Sequence, residues 1–314
     1  MNNELFIEIA SYRDPQLGPT VWDLVLKAEK PERLRIGICL QLNPEDHETC
    51  GTGCLPSGNE LRGAQLRVDL QDARESGGVC WARAKTQALW ENEPFTLQID
   101  SHMRFIHSWD EELLRSWQRC RDERALLTTY PNRFDLPDLY DREHIPRMAA
   151  LHFDEHGVLR LQGINERYDP QETEKSPSPS AFIAAGMLFG PSGMIEAAPY
   201  DPNLYFYGEE ISLALRLWSH GFNFYNPDKP LIFHLYKQAG EKHRTHWADH
   251  ENWHLHNRRS VERVLAVMKG ETVEPPFGMG NQRTLREWQA WSGIDLVERA
   301  ISPEAAAGRF TRWE

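Results

Sequence analysis

An aspartate and a histidine lie two positions apart at the end of an apolar run, in the segment Gln98-Ile99-Asp100-Ser101-His102. In an extended chain, residues at positions i and i+2 point to the same side, so both side chains can bind one divalent cation. An oxygen and a nitrogen ligand suit Mn²⁺, and Mg²⁺ would accept the carboxylate. The alternative is an aspartate that caps a turn beside an unrelated histidine. Spacing alone leaves both interpretations open.

Two further groups with carboxylate or imidazole side chains occur in the second half of the chain. Glu209 and Glu210 follow the aromatic run Tyr205-Phe206-Tyr207 and begin a predicted helix. The aromatic run favours a position in a cleft, but the helix dipole also stabilises acidic residues in a first helical turn without any catalytic role. His234 follows a short apolar run and is either a metal ligand or a structural histidine.

Arginines supply the remaining charged groups of interest. Arg13 and Asp14 lie in the polar turn after the first apolar run, and Arg83 lies in a predicted helix of mostly small and apolar residues. In such a helix, an arginine either belongs to a site or extends its guanidinium to solvent.

An alternating series of strands and helices has to position these residues. Apolar strand-like runs cover residues 5–10, 34–40, 95–99 and 125–130, and helical patterns cover residues 20–28, 78–90 and 109–121. This alternation predicts an α/β fold with a mostly parallel central sheet flanked by helices. Reactive groups of such sheets lie at the carboxyl ends of the strands, so we expect Arg13, Asp14 and Asp100 to meet there.

The second half of the chain predicts further helices separated by irregular segments. The predicted elements are an apolar run at 181–190, a helix at 209–220 with Gly221 after its end, a strand at 231–233, helical structure to about 269, and a modest helix in the tail. Segment 43–72 is predicted to be a long surface loop with partial structure, segment 135–180 to be similarly irregular, and 172–180 to be mobile. Long loops inside a compact domain usually carry function or disorder.

Composition excludes several classes of protein. The 314 residues carry a net charge of −12, which argues against a nucleic-acid partner because phosphate contact needs a basic face. No apolar run is long enough to span a membrane, and the N-terminus lacks the pattern of a signal peptide. Together with the odd number of five cysteines, these features predict a cytoplasmic protein.

The motifs occur in an order that resembles a known family. They are Ile9-Ala10-Ser11-Tyr12-Arg13-Asp14-Pro15, Ile36-Gly37-Ile38-Cys39-Leu40-Gln41, Leu97-Gln98-Ile99-Asp100-Ser101-His102-Met103-Arg104-Phe105 and Tyr207-Gly208-Glu209-Glu210-Ile211, followed by Arg216-Leu217-Trp218 and Phe233-His234-Leu235-Tyr236. Over about residues 4–250 the chain resembles the GlcNAc-transferases that modify hydroxyproline or Thr/Ser in proteins. The pattern is also similar to the polypeptide GalNAc-transferases, which share an Asp-x-His motif, a later Gly-Glu motif and a downstream metal-binding histidine.

The resemblance implies a GT-A-type nucleotide-sugar fold and a metal-dependent, retaining transfer from UDP-GlcNAc. By matching position, Asp100, His102 and His234 would hold Mn²⁺ or Mg²⁺, and Glu209 and Glu210 would be the catalytic residues facing the sugar and the acceptor hydroxyl. The implied donor-binding residues are Arg13, Asp14, Arg83, Asp100, Ser101 and Gly186.

The chemistry of the implied reaction agrees with a metal. Breaking a sugar–phosphate bond leaves a charged diphosphate, which a local cation stabilises and a protein of net charge −12 cannot stabilise diffusely. For retention we expect front-face attack through an oxocarbenium-like state, in preference to a covalent intermediate on Glu209 or Glu210. The alternatives are another UDP-hexose donor or a non-catalytic module that binds peptide or sugar.

The acceptor and the limits of the domain are less constrained. A Ser, Thr or hydroxyproline hydroxyl of a protein and a glycan hydroxyl are both compatible with the pattern, and the choice is expected to depend on segments 43–72 and 135–180.

We expect a glycosyltransferase domain over residues 1–270 and a helical extension over 271–314 that packs on it.

Histidine and cysteine clusters allow two further interpretations. His243, His246, His250 and His254 are spaced by three, four and four residues, which predicts one helical face. That face is either polar and partly buried, or it brings His243 or His246 to the diphosphate. His47, Cys50 and Cys54 lack a fourth zinc ligand and favour a loop with reduced thiols. The remaining cysteines, Cys39, Cys80 and Cys120, are predicted to be core residues.

Overall fold

The computed structural model of the chain describes residues 4–172, 175–236 and 245–313. Its helices are α1 (Leu17–Lys27), α2 (His47–Cys50), α3 (Val79–Gln87), α4 (Trp109–Arg119), α5 (Gly193–Ala197), α6 (Glu209–Ser219), α7 (His246–Asp249), α8 (Trp253–Met268), α9 (Leu285–Ser292) and α10 (Pro303–Ala306). Its strands are β1 (Leu5–Tyr12), β2 (Leu34–Leu42), β3 (Gln65–Asp72), β4 (Phe95–Asp100), β5 (Met103–Phe105), β6 (Ala125–Thr128), β7 (Asn132–Asp135), β8 (Leu139–Tyr140), β9 (His144–Phe153), β10 (Leu159–Arg167), β11 (Ser178–Ser180), β12 (Met187–Pro191), β13 (Asn223–Asn226), β14 (Ile232–His234), β15 (Ile294–Asp295) and β16 (Ala300–Ile301).

The main sheet confirms the predicted α/β fold. Its strands follow the order β11-β13-β6-β12-β4-β1-β2-β3. β1 pairs in parallel with β2 and β4, β2 with β3, and β6 with β13. β12 runs antiparallel between β4 and β6, and β11 runs antiparallel to β13 at the edge. The sheet is therefore mostly parallel, with the carboxyl ends of β1, β2 and β4 along the same edge.

Side chains of β1 alternate between two hydrophobic cores, one on each face of the sheet. Leu5, Ile7 and Ile9 pack in the core that contains the apolar faces of α1 and α4. Phe6 packs in the other core, which α3, α6 and α8 cover. Burial of each such side chain contributes about 1.5–3 kcal/mol to stability, so the strand is fixed from both sides.

The predicted surface loop over residues 43–72 is wrong at its C-terminal end. There, β3 pairs in parallel with β2 along its whole length and extends the sheet by one strand. β3 is an edge strand, and its residues are half-buried or exposed, with Leu70 more than half exposed. A strand with one neighbour needs few apolar residues, which is why its polar sequence indicated a loop.

The predicted irregular segment 135–180 is also largely wrong, because β9 and β10 form a long antiparallel hairpin there. Its turn spans Asp154 to Gly157, where Gly157 takes a left-handed conformation with φ of 86°. Of the residues of β10, only Leu159 is buried. The partly exposed strand therefore lacks the apolar run that marks the central strands. The mobile segment predicted at 172–180 includes β11, which pairs with β13.

A smaller sheet, in the order β5-β14-β7-β8, lies beside the main sheet. In it, β14 runs antiparallel to β5, and His234 pairs with Met103. This register brings the end of β14 next to the residues that follow β4.

Tryptophans join the C-terminal segment to the rest of the fold. Trp288 of α9 is fully buried, and Trp291 stacks on Trp218 of α6 with ring centroids 4.9 Å apart. The predicted helix in the tail is thus present, whereas the division of the chain into 1–270 and 271–314 stays a prediction. Among the described residues, no helix combines the length and hydropathy needed to cross a bilayer.

We expect Trp288→Ala to lower the free energy of unfolding by about 3–5 kcal/mol, because it leaves a large cavity in the core. Denaturant unfolding followed by circular dichroism measures the change. Trp247→Ala is the matched control, since this indole is 40% exposed and its loss should have a smaller effect. Equal destabilisation by the two substitutions would contradict the assignment of α9 to the core.

Candidate functional site

Three side chains with metal-binding atoms converge at the edge of the main sheet. Asp100 ends β4, His102 follows it after a bend, and His234 ends β14. The Nε2 atoms of His102 and His234 lie 3.0 Å apart, and Nε2 of His234 lies 3.2 Å from Oδ2 of Asp100. Within the described ranges, no other group of three His, Cys, Asp or Glu side chains has this arrangement.

The local chain does not bring these ligands together in the predicted way. Ser101 and His102 form a bend, so the extended i, i+2 spacing of Asp100 and His102 is wrong. The position of His234 results from the β5–β14 pairing, in which it lies opposite Met103. The third candidate ligand is therefore placed by a contact between residues more than a hundred positions apart.

Asp14 orients the imidazole of His102. Its Oδ2 atom lies 2.7 Å from Nδ1 of His102 and accepts the hydroxyl hydrogen of Ser101 at 2.5 Å, while its Oδ1 accepts the backbone N–H of Gln16. Burial acts to raise the pKa of Asp14, but the hydrogen bond and charge of His102, together with the hydrogen bonds from Ser101 and Gln16, lower it overall. Such a carboxylate fixes the ring of a ligating histidine and leaves its Nε2 directed at the metal position.

Arg83 forms an ion pair with Asp100. Its guanidinium is 2% exposed, and Nη2 donates to Oδ1 of Asp100 at 2.9 Å, so the solvent-exposed alternative is excluded. Burial acts to raise the pKa of Asp100, but the hydrogen bond from His234 and the charge of Arg83 hold it well below its usual range. Asp100 is thus an ionised carboxylate.

The donor set fits a divalent transition metal. One carboxylate oxygen and two imidazole nitrogens suit Mn²⁺, and the carboxylate also suits Mg²⁺. An octahedral ion with ligands at about 2.1 Å has neighbouring ligand atoms about 3 Å apart. The distances of 3.0 Å between the two imidazoles and 3.2 Å between His234 and Asp100 agree with that spacing.

Glu209 and Glu210 lie buried and half-buried at the first turn of α6, each held by a hydrogen bond. Oε2 of Glu209 accepts the thiol hydrogen of Cys80 at 3.1 Å, and Glu210 accepts the hydroxyl of Tyr130 at 2.6 Å and the N–H of Ala185 at 2.9 Å. Burial raises the pKa of Glu209, and it raises the pKa of Glu210 to about 7.

Two cavities adjoin the triad, and a third, smaller cavity shares Tyr12 with one of them. The β1 cavity, of about 520 Å³, is lined by Tyr12, Arg13, Asp14, Asp46, Asp100 and His102. The α6 cavity, of about 320 Å³, is lined by Arg83, Asp100, Gly186, Glu209, Glu210 and Tyr236, among others. The small α7 cavity, of about 110 Å³, is lined by Tyr12, Gln41, Ala82, Tyr205, His246 and Trp247. Asp100 lines both larger cavities, so the triad stands between them.

A comparison with protein-family models gives a match over most of the chain. The family Glycosyltransferase (GlcNAc) matches residues 4–58 and 52–298, well over half of the chain. The chain belongs to this glycosyltransferase family. The match continues past the predicted resemblance over 4–250 and includes α9. A comparison with curated proteins found no significant match.

Solved structures show the same fold at low identity. GalNAc-T7, crystallised with UDP, GalNAc and Mn²⁺, has a TM-score of 0.58 and 14% identity, over 91% of this chain and 54% of that protein. The mannosyltransferase PcManGT of Pyrobaculum calidifontis, in complex with GDP-Man and Mn²⁺, has a TM-score of 0.53 and 10% identity, over 97% and 73%. The chain therefore spans about half of the GalNAc-T7 chain, and these similarities establish the GT-A fold.

In this glycosyltransferase, Arg13 lines the β1 cavity but is already paired with three carboxylates. Its guanidinium donates to Glu45, Asp46 and Asp249 at 2.6–2.8 Å. The residue has a left-handed backbone with φ of 51°, which a non-glycine residue adopts at a cost and which turns the side chain toward this cluster. Arg13 thus connects the end of β1 with α7 and with the segment after β2.

Gly186, another predicted donor-binding residue, lies against the triad. A Cβ atom at this position would stand 3.1 Å from Oδ2 of Asp100. The absence of a side chain therefore leaves the carboxylate accessible from the α6 cavity.

The predicted single helical face of histidines is wrong. α7 ends at Asp249, His250 has an extended backbone, and α8 begins at Trp253, so His246 and His254 lie on different helices. His254 is exposed, and His243 lies outside the described residues. His246 and His250 stack with ring centroids 3.9 Å apart, and His246 also contacts the hydroxyl of Tyr205 at 2.7 Å and the carbonyl of Ser76 at 3.1 Å.

Three of the cysteines lie in the core, as predicted, whereas Cys50 ends α2 and does not lie in the predicted loop. Cys39, Cys80 and Cys120 are buried with free thiols, as expected for core residues. Cys50 is also buried, whereas Cys54 is half-buried. Neither of them, nor His47, joins a metal cluster in the part of the chain that the structure covers.

Sequence analysis missed three residues that line the α6 cavity: Tyr130, Arg160 and Tyr236. Tyr130 was assigned to the end of a strand, and Arg160 to a loop. Tyr236 lies two residues after His234 within a motif of the family resemblance, and this spacing was the one available signal.

Acidification should loosen α7. Burial lowers the pKa of His246 to about 4, below its usual value of about 6.5. The neutral ring therefore stabilises the folded state above pH 6.5, and this contribution is lost progressively as the pH falls toward 4. Hydrogen exchange at α7 should accelerate over that range, and His246→Gln should remove the pH dependence at this helix. An unchanged pH profile in the variant would contradict the assignment.

Proposed function

We propose that the chain transfers GlcNAc from UDP-GlcNAc to a hydroxyl group. The transfer retains the anomeric configuration of the sugar and uses Mn²⁺ or Mg²⁺ as cofactor. The observation that carries the proposal is the position of the Asp100–His102–His234 triad between two cavities at the carboxyl ends of β1 and β4. In open α/β sheets, ligands bind at this edge. The mention of GlcNAc in the family description supports the donor sugar.

The three cavities suggest where the nucleobase, the diphosphate and the sugar of the donor each bind. The α7 cavity lies between Tyr12 and Tyr205, and its size and aromatic walls suit a nucleobase. The diphosphate would then reach the triad through the β1 cavity, and the sugar would enter the α6 cavity. A metal held by Asp100, His102 and His234 would supply positive charge to the diphosphate leaving group.

The chain's own residues contribute charge and orientation. Arg83 adds a buried positive charge beside Asp100, and Asp14 keeps the imidazole of His102 in place. The fixed carboxylates Glu209 and Glu210 are suited to hold sugar hydroxyls and to stabilise a developing positive charge. Because Cys80, Tyr130 and Ala185 already donate to them, these carboxylates are poor nucleophiles, which favours front-face attack over a covalent intermediate.

The acceptor should approach through the α6 cavity. Residues 159–161 of the β9–β10 hairpin line this cavity, whereas Asp46, Thr49 and Cys50 line the β1 cavity. We therefore assign acceptor choice to the 135–180 segment and a donor-side position to the 43–72 segment. A protein hydroxyl and a glycan hydroxyl both remain within this proposal.

Metal-dependent binding of UDP tests the triad. Calorimetry should show that UDP binds more tightly when Mn²⁺ is present. In the presence of Mn²⁺, His102→Ala should lower the affinity for UDP by at least about tenfold, since even residues that only support a metal site change affinity by about 10–100-fold. The control is His107→Ala, five residues along the chain and exposed. Equal UDP affinity with and without Mn²⁺ in the unmodified protein would overturn the proposal.

Release of UDP from a panel of sugar nucleotides tests the donor. With Mn²⁺ present, UDP-GlcNAc should be hydrolysed or transferred faster than UDP-Gal, UDP-Glc, UDP-GalNAc and GDP-Man, because the pocket must fit both nucleobase and sugar. A higher rate with another nucleotide sugar would correct the donor while keeping the reaction class. A protein that binds UDP with Mn²⁺ but releases none from any donor would instead be a non-catalytic binding module.

A further inference from the structure

Arg160 is a cation of the α6 cavity whose charge the fold does not use. It lies on β10, and its guanidinium stands over the ring of Tyr207 at 4.5 Å from the centroid. It makes no ion pair and no side-chain hydrogen bond with any of residues 4–172, 175–236 or 245–313. A cation–π contact of this kind holds the guanidinium beside the ring and does not use its N–H groups, which stay available to a ligand.

The other arginines of the site differ from Arg160 in this respect. Arg13 is surrounded by three carboxylates, and Arg83 donates to Asp100. Glu209 and Glu210 line the same cavity as Arg160, but neither lies within ion-pair distance of it. A half-buried guanidinium that rests against an aromatic ring is suited to bind a carboxylate or a phosphate through two parallel hydrogen bonds.

We assign the anion that meets Arg160 to the acceptor. In the proposed function, on which this inference rests, the diphosphate of the donor lies at the triad and the GlcNAc group carries no charge. We propose that Arg160 binds an anionic group of the acceptor, and that the acceptor is an acidic saccharide. The rings of Tyr207, Phe206 and Tyr236 on the same cavity favour a saccharide over a peptide, since aromatic rings pack well against the apolar faces of sugars.

Binding of small sugars to the protein saturated with UDP and Mn²⁺ tests this assignment. Saturation-transfer NMR would compare methyl glucuronide, glucose 6-phosphate and the neutral methyl glucoside. We expect one of the two anionic sugars to bind at least about tenfold more tightly than the glucoside, and the comparison between them distinguishes a carboxylate from a phosphate. Arg160→Gln should remove this preference.

Arg167→Gln is the matched control, because Arg167 lies on the same strand, is exposed and is remote from the cavity lining. It makes the same change in charge and should keep the preference. Tyr207→Leu, which removes the stacked ring but keeps Arg160, should reduce the preference and provides a second test if Arg160→Gln does not fold.

Several results would overturn the inference. One is equal binding of neutral and anionic sugars by the unmodified protein. Another is that Arg160→Gln and Tyr207→Leu keep the preference for anionic sugars, or that Arg167→Gln loses it to the same extent as Arg160→Gln. The last is that the protein binds an acidic peptide in place of the sugars. Failure of the proposed function is distinguishable, because it appears earlier, as a lack of Mn²⁺-dependent UDP binding in the unmodified protein.

Discussion

The ionised carboxylate of Asp100 is the constraint on which the arrangement of the site depends. It ends β4 near the centre of the main sheet, where desolvation acts to raise its pKa. Arg83 on α3 and His234 on β14 keep it charged, so two distant elements have to pack against the same strand end. Gly186 keeps its other side open to the α6 cavity. The charge of one side chain thus connects the helix layer, the main sheet and the smaller sheet.

Several of the acidic side chains of the chain lie around two arginines of the candidate site. Arg83 lies between Asp100 and Glu209, and Arg13 lies among Glu45, Asp46 and Asp249. Each of these arginines is outnumbered by carboxylates, so in the proposed function they leave little positive charge for a diphosphate. A metal held by the triad would supply that charge, whereas Arg160 lies on the wall contributed by the β9–β10 hairpin.

Aromatic residues explain how the second half of the chain encloses the site. Trp218, Trp291 and Trp313 pack together and join α6 to the C-terminal segment, which fixes the helix that begins with Glu209. On the other side, Trp247 contacts Phe206, and His246 contacts Tyr205, so α7 covers the small cavity beside β1. Much of the tryptophan content is therefore used to hold α6 and α7 in place.

The sequence alone determined the α/β fold, the central strands and the identity of Asp100, His102 and His234 as candidates, because buried strands have continuous apolar runs and ligand residue types are few. It did not predict β3 or the β9–β10 hairpin, since strands with an exposed side need few apolar residues. Only the tertiary structure decided that β5 and β14 pair, that Asp14 supports His102, and that Arg13 is paired with carboxylates while Arg160 pairs with none among the described residues. These features depend on contacts between residues far apart in the chain, and no local pattern of apolar and polar residues encodes which distant partner a charged side chain will meet.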